Sequence, residues 1–277
     1  MDADAPFVRV RVTGNNRARD HRLRVVFRTS LADARVVADA AFGPLERRAI
    51  VVSAAEAAVE RPPATAPLHR YVSLSAAPHG ATIFSDGLAE YEATEDGDVA
   101  VTLVRAVNEL SRPDLPERPG HAGWPAATPE AQCLGPFAAH FAVALHAPDN
   151  DDATRAAVER FADDVLLPLT GETLRPALHA LVGGGSLELL GDGFAFAAAK
   201  PAECGGGWVA LRAVNVTAMP RLGAWRIVVP NGGSVGDAVR ARLDETPGDA
   251  LPVERDLDAA VVHFEAGPRE TVTILVR

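Results

Sequence analysis

Eight histidines, two cysteines and a set of spaced acids are the side chains in this sequence equipped for metal or catalytic chemistry. A zinc site needs three or four clustered ligands. His21, His69, His79, His121, His140, His146, His179 and His263 are scattered singly, with no His-x-Asp, His-x-x-x-His or His-Glu-x-x-His spacing. Asp20-His21 and His146-Ala147-Pro148-Asp149 come nearest, and neither is a ligand pair, so no metal ligand is assigned. Cys133 and Cys204 are too few for a disulfide framework or a four-thiolate site. They are expected to be reduced and buried, Cys133 standing at the entry to an apolar tract. Two carboxyls can serve as acid and nucleophile only when held about 5 Å apart. Glu90 and Glu92 share one strand face by period two, and are expected there as solvated acids. No phosphate-cradling glycine loop occurs. No catalytic residue follows.

Segment 111–125 is different. It is long, irregular and polar, it lies between strong strand signals, and it carries Arg112, Asp114, Arg118, His121 and Trp124. Loops of that length are usually functional. Planar bidentate groups suit sugar hydroxyls, and an aromatic ring suits the apolar face of a hexose. Arg112, Asp114, Arg118 and Trp124 are therefore candidate substrate-binding residues. The same segment could instead only dock two domains, with Arg118 in an interdomain salt bridge.

The elements that must hold this segment read as short strands. Residues 7–12 alternate strictly, and 21–27, 71–74, 81–84, 99–104 and 140–145 repeat the signal. Glu95-Asp96-Gly97-Asp98 reads as a hairpin turn. Later strand signals fall at 186–190, 194–196, 208–214, 225–229, 260–264 and 271–276. One short helix is predicted over 152–167, where Val158, Phe161 and Val165 recur at helical spacing and Asp151 or Asp152 caps the start. Segment 54–67, with three prolines, reads as a surface crossing. Gly183-Gly184-Gly185 is the expected boundary, giving a large β domain over 1–182 and a small one over 183–277. Gly205-Gly206-Gly207 reads as a hairpin loop within the second.

A chain of 277 residues buries roughly three quarters of its unfolded surface. Its 48% hydrophobic and 23% charged content is ordinary for a globular protein. A net charge of −10 repels phosphate backbones, which argues against nucleic acid as a partner. No apolar run approaches the ~20 residues that span a bilayer, so no membrane is expected. With no signal-peptide pattern at the start, the expected compartment is cytoplasmic.

A fixed order of short motifs resembles the C-terminal β domain of glycoside hydrolase family 38, the α-mannosidases. The pieces are Gly87-Leu88-Ala89-Glu90-Tyr91, Val101-Thr102-Leu103-Val104-Arg105, Leu110-Ser111-Arg112-Pro113-Asp114-Leu115, Arg118-Pro119-Gly120 and Thr128-Pro129-Glu130-Ala131-Gln132-Cys133-Leu134-Gly135. His69-Arg70-Tyr71-Val72 lies upstream and Lys200-Pro201-Ala202-Glu203 downstream. The resemblance implies an all-β fold: an antiparallel super-sandwich of galactose-mutarotase-like type, then a smaller β sandwich. It implies a non-catalytic region that supports a catalytic domain of the same polypeptide and forms part of its mannoside cleft. No cofactor is implied in this chain, since zinc and the carboxylate nucleophile of these retaining enzymes belong to the catalytic domain. Arg118 matches by motif order the arginine that approaches substrate, and homo-oligomer contacts are compatible with the family. The rival is a free-standing carbohydrate-binding or structural β module. A mutarotase-like epimerase would need a His/Glu pair, and none is assignable.

Overall fold

Strict alternation over residues 7–12 produces a long strand whose two faces meet different surroundings. The computed structural model describes residues 5–148, 151–167 and 184–277. They divide into two units, 1–149 with 161–166, and 150–160 with 167–277. The expected boundary at Gly183 lies outside the described residues. All strand pairings among the described residues are antiparallel.

The first unit begins with β1 (Phe7–Asn16), β2 (Arg22–Arg28), β3 (Arg35–Ala38) and β4 (Leu45–Glu46). A single turn of helix follows, α1 (Ala54–Ala57). Next come β5 (Thr65–Pro67), β6 (Tyr71–Ala76), β7 (His79–Asp86), β8 (Glu90–Ala93) and β9 (Asp98–Arg105). Four two-residue strands follow, β10 (Glu109–Leu110), β11 (Asp114–Leu115), β12 (Arg118–Pro119) and β13 (Ala126–Ala127). The last strand is β14 (Gly135–His146). A six-stranded sheet in the order β1-β14-β7-β6-β3-β4 stands beside a four-stranded one ordered β2-β9-β8-β5. Between them lie Val72, Leu74, Ile83, Tyr91, Val99 and Val101, with Val25 and Phe27 packed on. The other face of the six-stranded sheet is buried too, at Tyr71, Ser73, Thr82, Phe84 and Ala142.

Helix α2 (Asp152–Leu166) agrees with its expected span. Asp151 accepts from the Thr154 N–H at 2.7 Å, a cap for its first turn. In its last turns, Phe161 meets Phe7 edge to face, with centroids 6.4 Å apart. Expectation and structure differ at α1. Ser53 and Glu56 form a reciprocal capping box, a signature present in the sequence as Ser-x-x-Glu. The rest of that crossing contains an edge strand, β5, where Pro67 has no inner ladder to break.

The second unit holds β15 (Ser186–Leu190), β16 (Phe194–Pro201), β17 (Val209–Asn215), β18 (Arg221–Val228) and β19 (Ala238–Ala241). It ends with β20 (Pro247–Leu251), β21 (Glu254–Asp256), β22 (Ala259–Ala266) and β23 (Thr271–Val276). Sheets β15-β18-β22-β21 and β16-β17-β23-β19-β20 enclose Phe194, Leu211, Trp225, Val262, Phe264 and Ile274. The glycines joining β16 to β17 all take positive φ, between 64° and 78°, as a hairpin loop built from Gly205 to Gly207 requires. No helix among the described residues is long and apolar enough to cross a membrane.

Candidate functional site

The excursion between β9 and β14 is built from two miniature ladders. Glu109 and Leu110 pair with Ala127 and Ala126, and nested inside, Asp114 and Leu115 pair with Pro119 and Arg118. Ser111 fastens the tip. At φ 57° its hydroxyl donates to the Gly123 carbonyl at 2.9 Å and accepts from the Gly123 N–H at 2.7 Å. Its own carbonyl lies 2.5 Å from His121 Nδ1.

This clamp leaves Trp124 standing in solvent, 94% exposed. Among the described residues the ring packs on no non-local surface. Leu110 and Leu115 are exposed nearby in sequence.

Arg112 and Asp114 are brought together. Nε and Nη2 of Arg112 donate to the two carboxylate oxygens at 2.9 and 2.7 Å, the parallel fork that arginine suits best. The bond raises the Arg112 pKa and holds Asp114 below the usual carboxylate range. Arg118, opposite Leu115 in the same ladder, makes its ion pair elsewhere. Its side chain is 19% exposed and lies 3.7 Å from Glu60, while its buried Nε has no hydrogen-bond partner among the described residues. A hydrogen bond from the Arg61 N–H to the Glu117 carbonyl, 2.7 Å, ties the same corner to the segment after α1. The excursion therefore offers an open aromatic face on a braced loop, with the Arg118 guanidinium partly exposed beside Glu60.

Two sequence motifs with no assigned chemistry prove to be charge locks. Asp39, its side chain 1% exposed, accepts from Arg70 Nε at 2.8 Å, Nη2 at 3.1 Å and backbone N at 3.3 Å. His69 Nδ1 lies 2.5 Å from the same carboxylate, and Arg70 also reaches Asp163 at 3.6 Å. Burial pushes the Asp163 carboxyl up, with Arg70 opposing. In the second unit, buried Glu245 meets Lys200 at 2.8 Å and Arg212 at 2.7 Å, and accepts from the Glu203 N–H at 2.5 Å. Lys200 is the chief cause holding Glu245 below its ordinary pKa. Sequence reasoning missed Asp39 and Glu245, since neither belongs to a local pattern.

Two expectations need correction. Glu90 and Glu92 share a face, but they are paired rather than merely solvated. Arg22 and Arg24 on β2 reach across β9 to them, and Thr102 on β9 donates to Glu90 at 2.7 Å. Cys133 and Cys204 are free thiols but exposed. Cys133 sits in the left-handed region at φ 46° on the turn after the short 3-10 helix Pro129–Gln132, ahead of the apolar strand, and Cys204 opens the glycine hairpin. Among the described residues no three His, Cys, Asp or Glu side chains gather as metal ligands. His179 lies outside the described residues.

Comparison with known proteins accords with this picture. Residues 2–115 match the profile of the glycosyl hydrolases family 38 C-terminal domain. Arg118 and Trp124 lie beyond that match. A "Putative mannosylglycerate hydrolase" of Halalkalibacterium halodurans is 32% identical over 213 residues, covering 76% of this chain and 21% of that protein. The solved structure of an alpha-mannosidase from Enterococcus faecalis V583 is 26% identical with a TM-score of 0.72, covering 99% of this chain and 28% of its own. A second family 38 structure from Enterococcus faecalis gives 25% identity and a TM-score of 0.70, again over 99% of this chain and 29% of that one. The chain thus spans between a fifth and a third of these relatives. Its residues 2–115 place it with the glycosyl hydrolases family 38 C-terminal domain, and its similarity to a family 38 structure runs over 99% of its length.

Proposed function

We propose that this chain is the non-catalytic β region of an α-mannosidase-like glycoside hydrolase and that its excursion forms one wall of a carbohydrate cleft. The observation that carries this is Trp124, almost wholly in solvent on a clamped loop. An indole ring left bare forfeits about 1.5–3 kcal/mol of burial, which a sugar face or an adjoining domain would recover. Arg118, whose side chain keeps 19% of its surface open beside Glu60, is the matching donor for a hydroxyl. The catalytic domain belongs to the same polypeptide in this reading, supported by the small share of each relative that the chain covers. Zinc and the nucleophile belong to that domain. Two exposed free thiols support a reducing, cytoplasmic setting.

The test uses the full-length enzyme. Arg118→Ala should lower kcat/KM on an aryl α-mannoside by about tenfold, ~1.4 kcal/mol, with thermal unfolding unchanged. Unaltered kinetics would reduce Arg118 to a brace between the excursion and Glu60. The purified 277-residue chain should show no turnover of the same substrate, and turnover above a mock purification would overturn the non-catalytic assignment.

A further inference from the structure

A recess lies on the first unit, away in sequence from the excursion. It encloses about 330 Å³ between Arg9, Arg11, Asp86, His140 and Val165, with main chain of Val10 and Phe141 in its wall. The register explains why these side chains meet. Arg11 is directly opposite His140, and His140 directly opposite Asp86, on the adjacent strands β1, β14 and β7. Side chains directly opposite on neighbouring strands project from the same face about 5 Å apart. Phe141 turns its ring to the other face, where it meets Phe27 at 5.2 Å, so the recess is not filled from below. Arg9, two residues from Arg11 and on the same face, is anchored at the rim. It donates to the Asp164 carbonyl at 2.6 Å and lies 4.9 Å over the Phe7 ring.

The charges in this recess are unevenly spent. Asp86 stands 3.7 Å from His140 Nδ1, and both side chains are more than half exposed. Arg11, exposed at the mouth, has no ion-pair or hydrogen-bond partner among the described residues. The Arg11 guanidinium is thus unmet in the recess, on a chain whose net charge is −10. A ligand drawn here must bring negative charge for Arg11, and it meets an acceptor, Asp86, that suits a hydroxyl rather than a second anion. Val165 supplies an apolar edge.

We propose that this recess is a binding site for a small hydroxylated oxyanion, of the sugar-acid class. Arg11 takes the oxyanion as a forked donor, His140 adds a second N–H, and Asp86 accepts from a hydroxyl on the same ligand. The site stands independently of the mannoside cleft and requires no catalytic domain.

Gluconate and sorbitol separate the charge from the polyol. In a two-dimensional NMR titration of the whole chain, gluconate should shift the ring resonances of His140, and sorbitol at equal concentration should not. Arg11→Ala should weaken gluconate binding by about tenfold or more, with far-UV circular dichroism and melting unchanged because Arg11 is exposed. Raised sodium chloride should weaken binding as well. Equal shifts from sorbitol, or gluconate binding undiminished in Arg11→Ala, would overturn the proposal. Should Arg11→Ala melt early, Arg11→Gln provides the same removal of charge with the stem retained.

Discussion

Arg112–Asp114 and Arg70–Asp39 join the same two groups through the same forked contact, in opposite surroundings. Arg112 and Asp114 lie on the excursion with both side chains in substantial contact with water, whereas the Asp39 side chain is 1% exposed. Asp114 is held by one partner. Asp39 is held by Arg70 through side chain and backbone and by His69 as well. An exposed pair gains little over its hydrated parts. A buried carboxylate is costly unless it is paired and hydrogen-bonded, and both Asp39 oxygens have donors. The excursion therefore keeps its groups available, and the lock consumes its own. This difference separates residues suited to contact a ligand from residues that hold the fold.

Breaking the lock should give the largest change. Arg70→Ala would leave Asp39 buried without its fork, and chemical denaturation should show a loss of about 3–5 kcal/mol in the first unit. Urea titration followed by tryptophan-independent circular dichroism is the measurement. A loss no greater than that of a surface pair would mean water reaches Asp39 and the contrast fails.

Glu245 extends the comparison to the second unit. Its pKa is depressed, chiefly by Lys200. The stabilisation is therefore complete above the ordinary carboxylate pKa and is lost as pH falls through the depressed value. Glu245→Gln should lower the melting temperature at neutral pH and should flatten its dependence on acid below that range. An acid profile identical to that of the parent would remove Glu245 from the set of locks.

Arg112→Ala should do much less. The pair is exposed and braces only a two-residue ladder, so melting at moderate salt should fall slightly, and the difference should vanish at high salt. A large loss persisting in high salt would show that the excursion depends on the pair and is not free to serve a ligand with it.

Much of the strand pattern was legible because it is local. Residues 7–12 and 99–104 alternate or run apolar, Gly97 and the 205–207 glycines take the positive φ their turns need, and α2 follows its helical spacing. Strands β19 to β21 escaped because they are short and polar, and Pro247 reads as a breaker although β20 is an edge strand that tolerates it. The locks were illegible for another reason. Asp39 meets Arg70 across 31 positions and Glu203 meets Glu245 across 42, separations at which no spacing rule operates. The composition of the excursion was visible, but Ser111 and its clamp were not, since a hydroxyl that both donates and accepts leaves no pattern along the chain.

Trp124 gives the finest test, because its effect on stability should be nil. A ring 94% exposed contributes no burial to this chain, so Trp124→Ala should change unfolding by no more than about 0.5 kcal/mol. In the full-length enzyme the same substitution should weaken substrate binding, while Trp124→Phe, which keeps an aromatic face, should recover part of the loss. Stacking against a hexose and packing against a neighbouring domain predict different kinetics. A sugar contact should appear mainly in KM or in kcat/KM and should depend on the length of the substrate. A domain contact should lower the melting temperature of the whole enzyme and leave KM unchanged. If both variants match the parent in kinetics and in full-length stability, the exposed ring has no partner, and Arg118 remains as the sole support for the cleft wall.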